Sequence, residues 1–396
     1  MVSEKMYELG SRRSVIREIF EYSNARAKEI GRENVFDFSL GNPSVPAPAL
    51  VNETIAQLIA GDSVALHGYT SAPGDAGVRG TIAQSLNRRF GTSFAAKDLY
   101  MTAGAAASLC AVLRGLCEPG DEFIAIAPFF TEYRVFVEAA GAKLVVVPAD
   151  VPDFQIDLAA LGRAITPHTK GVLVNSPNNP SGAVYSEATV RALCALLREK
   201  SEEYGRPIFL ISDEPYREIA YGVDVPFLTK YYDNTIVCYS YSKSLSLPGE
   251  RIGWVLVPAA VDDAGRVMAA VAGAGRALGY VCAPSLFQRV AARCCDTPAD
   301  VAAYKKNRDA LLAGLTACGF DCVPPDGAFY LFVKSPEPDA GAFCERAKKL
   351  ELLFVPSDDF GVTGYVRIAY CVAYDTIERS LPAFRKLAQS YGLKGK

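Results

Sequence analysis

The chain has 396 residues, 50% hydrophobic and 21% charged, with a formal net charge of −3. This is globular composition, long enough for two or more domains sharing a substantial core. Lysines and arginines are scattered rather than clustered, so nothing in the sequence points to binding of nucleic acid or an anionic membrane. No run approaches 18 apolar residues, and Met1 to Arg17 lacks the apolar stretch of a signal peptide, so a cytoplasmic protein is expected.

The N-terminal segment predicts a helix over Ser14–Ile30. From about Tyr69 helical and short apolar segments alternate. Strands are expected at Leu99–Thr102, Glu122–Ala127, Lys143–Pro148, Gly171–Asn175, Pro207–Ser212, Thr235–Tyr239 and Gly253–Val257. Each is rich in Val, Ile, Leu or Phe and bounded by Gly, Pro, Asn or Asp. Helices fall between them at about Ala105–Cys117, Thr131–Ala140, Leu158–Ile165, Glu187–Tyr204 and Val261–Ala277. Continuous apolar character means strands covered on both faces, hence an α/β fold whose seven-stranded sheet is mostly parallel and sandwiched by helices. After Pro284 longer helices (Ser285–Arg293, Ala299–Cys318, Gly341–Leu350, Thr376–Ser390) surround strands at Ala328–Val333 and Tyr365–Cys371. That pattern gives a smaller α+β domain. The expected division is 1–44 as an N-terminal arm belonging partly to the small domain, 45–285 as the large domain and 286–396 as the small one.

Eleven cysteines spread through apolar segments read as free thiols rather than a disulfide framework. The two histidines, His67 and His168, have no ligand spacing, so no metal site is expected.

Chemistry-bearing residues cluster at strand ends. Ser240-Tyr241-Ser242-Lys243 directly follows a buried strand, with Arg251 eight residues on. Desolvation there drives a lysine toward a reactive neutral amine. Beside the phosphate-binding donors Ser240, Ser242 and Arg251, such an amine suits the aldehyde of a pyridoxal phosphate, held as a Schiff base. A surface lysine in a serine-rich loop is the plainer alternative. Gly104-Ala105-Ala106 opens a helix after a strand, where small residues and unpaired N–H groups attract phosphate; a tight turn needs the same residues. Asn175 to Gly182 (NSPNNPSG) makes a rigid turn at the sheet edge where open α/β folds bind ligands. Asp213 ends another apolar strand and needs a partner to stay ionised. A protonated pyridine nitrogen is one such partner; a helix N-cap is the structural alternative.

In this order, these four segments resemble the class I/II aminotransferases of the fold-type I pyridoxal phosphate enzymes. The resemblance extends over nearly the whole chain, through Leu40-Gly41-Asn42-Pro43, Tyr69, Pro73-Gly74, Arg79 and Gly364-Tyr365-Val366-Arg367-Ile368. It implies that Lys243 links to pyridoxal 5′-phosphate and shuttles the substrate proton. It implies that Asp213 pairs with the pyridine nitrogen, and that Asn179 and Tyr216 bind the phenolate oxygen. Gly104, Ala105, Ala106, Ser240, Ser242 and Arg251 would take the phosphate, and Phe130 would stack on the ring. Arg367 would clamp the substrate α-carboxylate, with Gly41 lining the same pocket. Tyr69 would reach the phosphate of a neighbouring subunit, so a homodimer is expected.

One departure matters. Some bacterial aspartate aminotransferases carry a lysine where this chain has Ala106, and that lysine serves the substrate's second carboxylate. Arg276 is an alternative source of positive charge; a surface arginine is the simpler reading. The expected activity moves the amino group of an L-amino acid, aspartate or an aromatic one, to a 2-oxo acid such as 2-oxoglutarate. A carbon–sulfur β-lyase on the same scaffold is the first rival. A non-enzymatic cofactor-binding regulator is the second, disfavoured because the stretch before Gly41 is too short for a helix-turn-helix domain and linker.

Overall fold

The computed structural model describes residues 2–11 and 15–395. The chain forms two compact units, one of Val45–Val301 with Asp326–Ala328, the other of Met1–Ser44, Ala302–Pro325 and Phe329–Lys396. Among the described residues no helix is long and apolar enough to cross a membrane.

The larger unit is built on seven strands: β1 (Leu99–Thr102), β2 (Glu122–Ile126), β3 (Lys143–Val147), β4 (Thr169–Asn175), β5 (Phe209–Asp213), β6 (Thr235–Ser240) and β7 (Gly253–Leu256). Their order is β1-β7-β6-β5-β4-β2-β3. Only β7 runs antiparallel to its neighbours; every other pairing is parallel. All residues of β1, β5, β6 and β7 are buried, which is why these strands read as apolar runs without alternation. Helix Glu187–Tyr204 buries Val190, Leu193 and Leu197 in one core layer with Val172 of β4 and Leu210 of β5. Ser186 caps its first turn and Gly205, in the left-handed region, ends it.

Two consequences of this order position the site. The carboxyl ends of β2, β4, β5 and β6 share one edge. Because β7 is reversed, its first residue, Gly253, lies at that same edge, in register with Ser240 and Thr102. The strand order also reverses between β4 and β2, with β3 outside, which opens a crevice of the kind α/β proteins use for ligands.

Helices Ala49–Ile59, Ser63–His67 and Ala76–Phe90 precede the first strand of the sheet. Two glycines weaken the helical signal of Ala76–Phe90, while the Asp75 side chain secures its start by accepting from the Val78 N–H at 3.0 Å. Helix Ser285–Cys294 departs from the expected division at 285/286. Its Val290, Ala291 and Cys294 are buried with Ile82, Leu86 and Leu99 in the larger unit's core. The apolar face of that helix therefore moves the boundary to beyond Val301.

In the smaller unit, Tyr330–Lys334 pairs antiparallel with Tyr365–Ala369 and Cys322–Val323, and Val355–Pro356 adds to the other side of Tyr365–Ala369. Phe36–Asp37 pairs parallel with Leu352–Leu353. The helix expected from Ser14 spans Val15–Ile30; Ser14 itself lies outside the described residues. Phe38, Phe343, Phe354 and Phe384 form an aromatic core, with ring separations of 5.4 to 6.3 Å. All eleven cysteines are free thiols.

Candidate active site

Asp213 closes β5 with a fully buried carboxylate, and it is not a helix cap. The Tyr133 hydroxyl donates to its Oδ2 at 2.6 Å. Its Oδ1 is buried without a hydrogen-bond partner among the described residues. Burial pushes the carboxyl up to about 7; the Tyr133 bond opposes that rise and Glu214 adds to it. A buried, half-satisfied carboxylate is costly unless something complements it.

Neighbouring turns are tied to the same point. The Asn175 carboxamide donates to the Asp213 carbonyl at 2.8 Å and accepts the Asn179 N–H at 2.7 Å. Asn178 donates to the Pro128 carbonyl at 3.1 Å, which joins the turn after β4 to the one after β2. Asn179 and Tyr216 are both buried, whereas Phe130 is half-buried and sits edge-on to Tyr133, ring centroids 5.8 Å apart.

Beyond β6, Ser240 caps the short helix Tyr241–Ser244, and its hydroxyl lies 2.7 Å from that of Ser242. Lys243 is half-buried in this turn. Gly104 stands before helix Ala105–Leu116 at φ 90°, with no side-chain cap. A Cβ on Gly104 would meet Arg251 Nη2 at 2.9 Å, and one on Gly253 would meet the Tyr239 carbonyl at 2.2 Å and Gly104 Cα at 3.0 Å. Only glycine allows these three segments to close so tightly. Arg251 donates through Nη1 to the Pro248 carbonyl at 2.9 Å.

The larger unit thus gathers Gly104, Ala105, Ala106, Phe130, Asn179, Asp213, Tyr216, Ser240, Ser242, Lys243 and Arg251 at the edge defined by its strand order. Tyr69 belongs to the same unit and is 97% exposed. Gly41 and Arg367 belong to the smaller unit. There the buried Arg367 donates through Nη2 to the Ser39 carbonyl at 2.5 Å, and its guanidinium lies over the rings of Tyr330 (4.6 Å) and Phe360 (5.2 Å). A Cβ on Gly41 would fall 2.0 Å from the Tyr330 hydroxyl, so both residues pack on one tyrosine.

A family model, aminotransferase class I and II, matches residues 33–384. The chain belongs to that family. It is 31% identical over 381 residues to a probable aspartate/prephenate aminotransferase of Thermus aquaticus, covering 92% of this chain and 95% of that one. The crystal structure of an aminotransferase from Eubacterium rectale superposes with a TM-score of 0.97 at 61% identity, covering 99% of both chains. Aspartate aminotransferase of Thermus thermophilus, solved with maleate, gives 0.86 at 26% identity, with 98% and 99% covered. The fold is fold type I, and the protein is a pyridoxal phosphate-dependent aminotransferase acting on amino acids and 2-oxo acids.

The residues of this aminotransferase fit that cofactor. An anionic phosphate suits the free N–H groups opening helix Ala105–Leu116, the paired hydroxyls of Ser240 and Ser242, and the Arg251 guanidinium over Gly104. A protonated ring nitrogen is the complement that Asp213 Oδ1 lacks. Two participants were not picked out from sequence, Tyr133 and the clip made by the Asn175 side chain. The only advance signal for Tyr133 was an aromatic on the first helical turn after Phe130; its partner is 80 residues away in sequence. Arg276 is exposed on helix Ala264–Ala277.

Proposed function

We propose that this aminotransferase moves the amino group of an L-amino acid, with aspartate and aromatic amino acids as leading donors, to a 2-oxo acid such as 2-oxoglutarate. The observation that carries the assignment of residues is the buried Asp213 with one oxygen satisfied by Tyr133 and one open. When bound, pyridoxal phosphate supplies an electron sink for the bond broken at the substrate Cα.

The chain's own groups do the rest. Lys243 would hold the cofactor through its amine and, when that amine is free, would move the proton at the substrate carbon. Asp213 keeps the ring nitrogen protonated. Asn179 and Tyr216 hold the phenolate oxygen, Phe130 covers the ring, and Gly104, Ala105, Ala106, Ser240, Ser242 and Arg251 take the phosphate. Arg367 grips the α-carboxylate in two parallel hydrogen bonds, its fork held by Ser39 and Tyr330, with Gly41 keeping that approach open.

Aspartate as donor agrees with the names of the Thermus relatives. Ala106 removes one positive charge from the aspartate case, which keeps the aromatic donors in contention. We further propose a cytoplasmic homodimer in which Tyr69, 97% exposed in the single chain, reaches the partner's phosphate site. A panel of amino donors against 2-oxoglutarate, read through cofactor absorbance, tests the reaction. Conversion to the pyridoxamine form with glutamate production supports transamination. Release of pyruvate and ammonia from a cysteine-type donor, without that conversion, would assign the β-lyase chemistry instead.

A further inference from the structure

The two oxygens of the Asp213 carboxylate stand in different circumstances, Oδ2 accepting from Tyr133 and Oδ1 open. We propose that Tyr133 is a positioning residue: its hydroxyl fixes the rotation of the Asp213 carboxylate and confines that group's exchangeable proton to Oδ1, so that the pair together sets the pH below which the protein loses affinity for its cofactor. This rests on the reading of Asp213 as the ring-nitrogen partner.

A phenol has a single proton to donate, and Tyr133 gives it to Oδ2. The ring has little freedom to turn away. It is 1% exposed, stacked on Phe129 at 6.4 Å and edge-on to Phe130, while its backbone N–H is bonded to the Phe130 carbonyl at 3.0 Å. With Oδ2 engaged as an acceptor, a proton arriving at the carboxyl settles on Oδ1. The titratable neighbours at the end of β5, on β6 and beside Tyr133 are Glu214, Cys238 and Tyr185, with Arg217 ion-paired to Glu214. Cys238 faces Asp213 across the β5–β6 register, Glu214 follows it in the chain, and Tyr185 stands by Tyr133. Burial keeps the Cys238 thiol and the Tyr185 phenol neutral, both raised well above their ordinary values. The Tyr133 hydroxyl is therefore the neighbour that favours the ionised carboxylate, against a burial that pushes it up to about 7.

The sign of the pH effect follows. Below its titration Asp213 carries a proton on Oδ1, where it faces a protonated ring nitrogen donor to donor, and binding must expel one proton. Affinity therefore falls as pH drops through that range. Removing the hydroxyl raises the carboxyl further, so the loss begins at higher pH.

The test uses the full chain freed of cofactor and titrated with pyridoxamine 5′-phosphate, an amine that makes no covalent link to Lys243. Quenching of the single tryptophan, Trp254, which adjoins Gly253 at the site edge, reports binding. Tyr133→Phe should move the break in Kd against pH upward by roughly one to two units, the worth of one hydrogen bond to a charged group, while the two proteins converge at high pH. Ionisation of the ligand phosphate is common to both curves and cancels. Tyr133→His, which restores a donor, should bring the break back down. Asp213→Asn should abolish the break with or without Tyr133→Phe. An Asp213→Asn protein whose Kd stays within a few-fold of wild type at every pH would overturn the reading of Asp213 itself. A break abolished by Asp213→Asn but unmoved by Tyr133→Phe would overturn the role of Tyr133 alone, as would a loss of affinity uniform across pH.

Discussion

Arg217→Met should be among the most destabilising single changes in the larger unit, although Arg217 is assigned no part in the chemistry. Its side chain is 5% exposed and that of Glu214 1% exposed. Arg217 donates to Glu214 through Nε and through Nη2 (2.8 Å), and to the carbonyls of Val225 and Pro226 at 2.9 Å each. The guanidinium also lies over the rings of Phe90 (5.4 Å) and Phe227 (5.0 Å). Methionine fills comparable volume between those rings but leaves Glu214 buried with only the Ser212 hydroxyl at 2.7 Å. An uncompensated buried charge of this kind costs about 3–5 kcal/mol, larger than the aromatic contribution of about 1–2 kcal/mol. For a unit of this size that corresponds to a fall in Tm of roughly 10 °C. Urea unfolding of cofactor-free protein is the assay, since ligand binding would add its own stabilisation. The double variant Arg217→Met with Glu214→Leu removes both charges and should recover most of the loss. A single-variant cost below about 1 kcal/mol, or a double variant no more stable than the single, would refute the claim that the unpaired carboxylate is what hurts.

Three further outcomes are expected. Lys243→Ala should abolish turnover and covalent attachment of the cofactor while leaving a folded chain; borohydride reduction of the wild type followed by peptide mapping should label Lys243, and label on another lysine refutes the assignment. Arg367→Lys should raise KM and lower kcat/KM for every donor alike by about 2–4 kcal/mol of transition-state binding, whereas a loss confined to dicarboxylic donors would make Arg367 a side-chain reader. Mixing inactive Lys243→Ala protein with a disabled Tyr69 variant should restore activity once subunits exchange, because each mixed dimer then holds one site free of both lesions; no recovery despite measured exchange argues against a shared site.

Local information was enough for much of the architecture. The seven strands and helix Glu187–Tyr204 were legible because apolar runs and cap residues act over a few positions, and the turns that end those strands carry distinctive Asn, Pro, Gly and Ser clusters. The strand-end residues Lys243, Asp213 and Asn179 could be picked out for the same reason. Strand order was beyond local reading. The antiparallel β7, which brings Gly253 and Arg251 to the edge shared with Ser240, is set by pairing with β1 and β6. Whether helix Ser285–Cys294 joins the larger unit was settled by which core its Val290 and Cys294 enter. The partner of Asp213 was likewise invisible, since Tyr133 meets it only when the helix after β2 packs against the end of β5. Sequence thus determined which residues had chemistry to offer, through short-range pattern. Tertiary structure decided the electrostatics of Asp213, because burial and a single donated proton come from chain segments far apart in sequence.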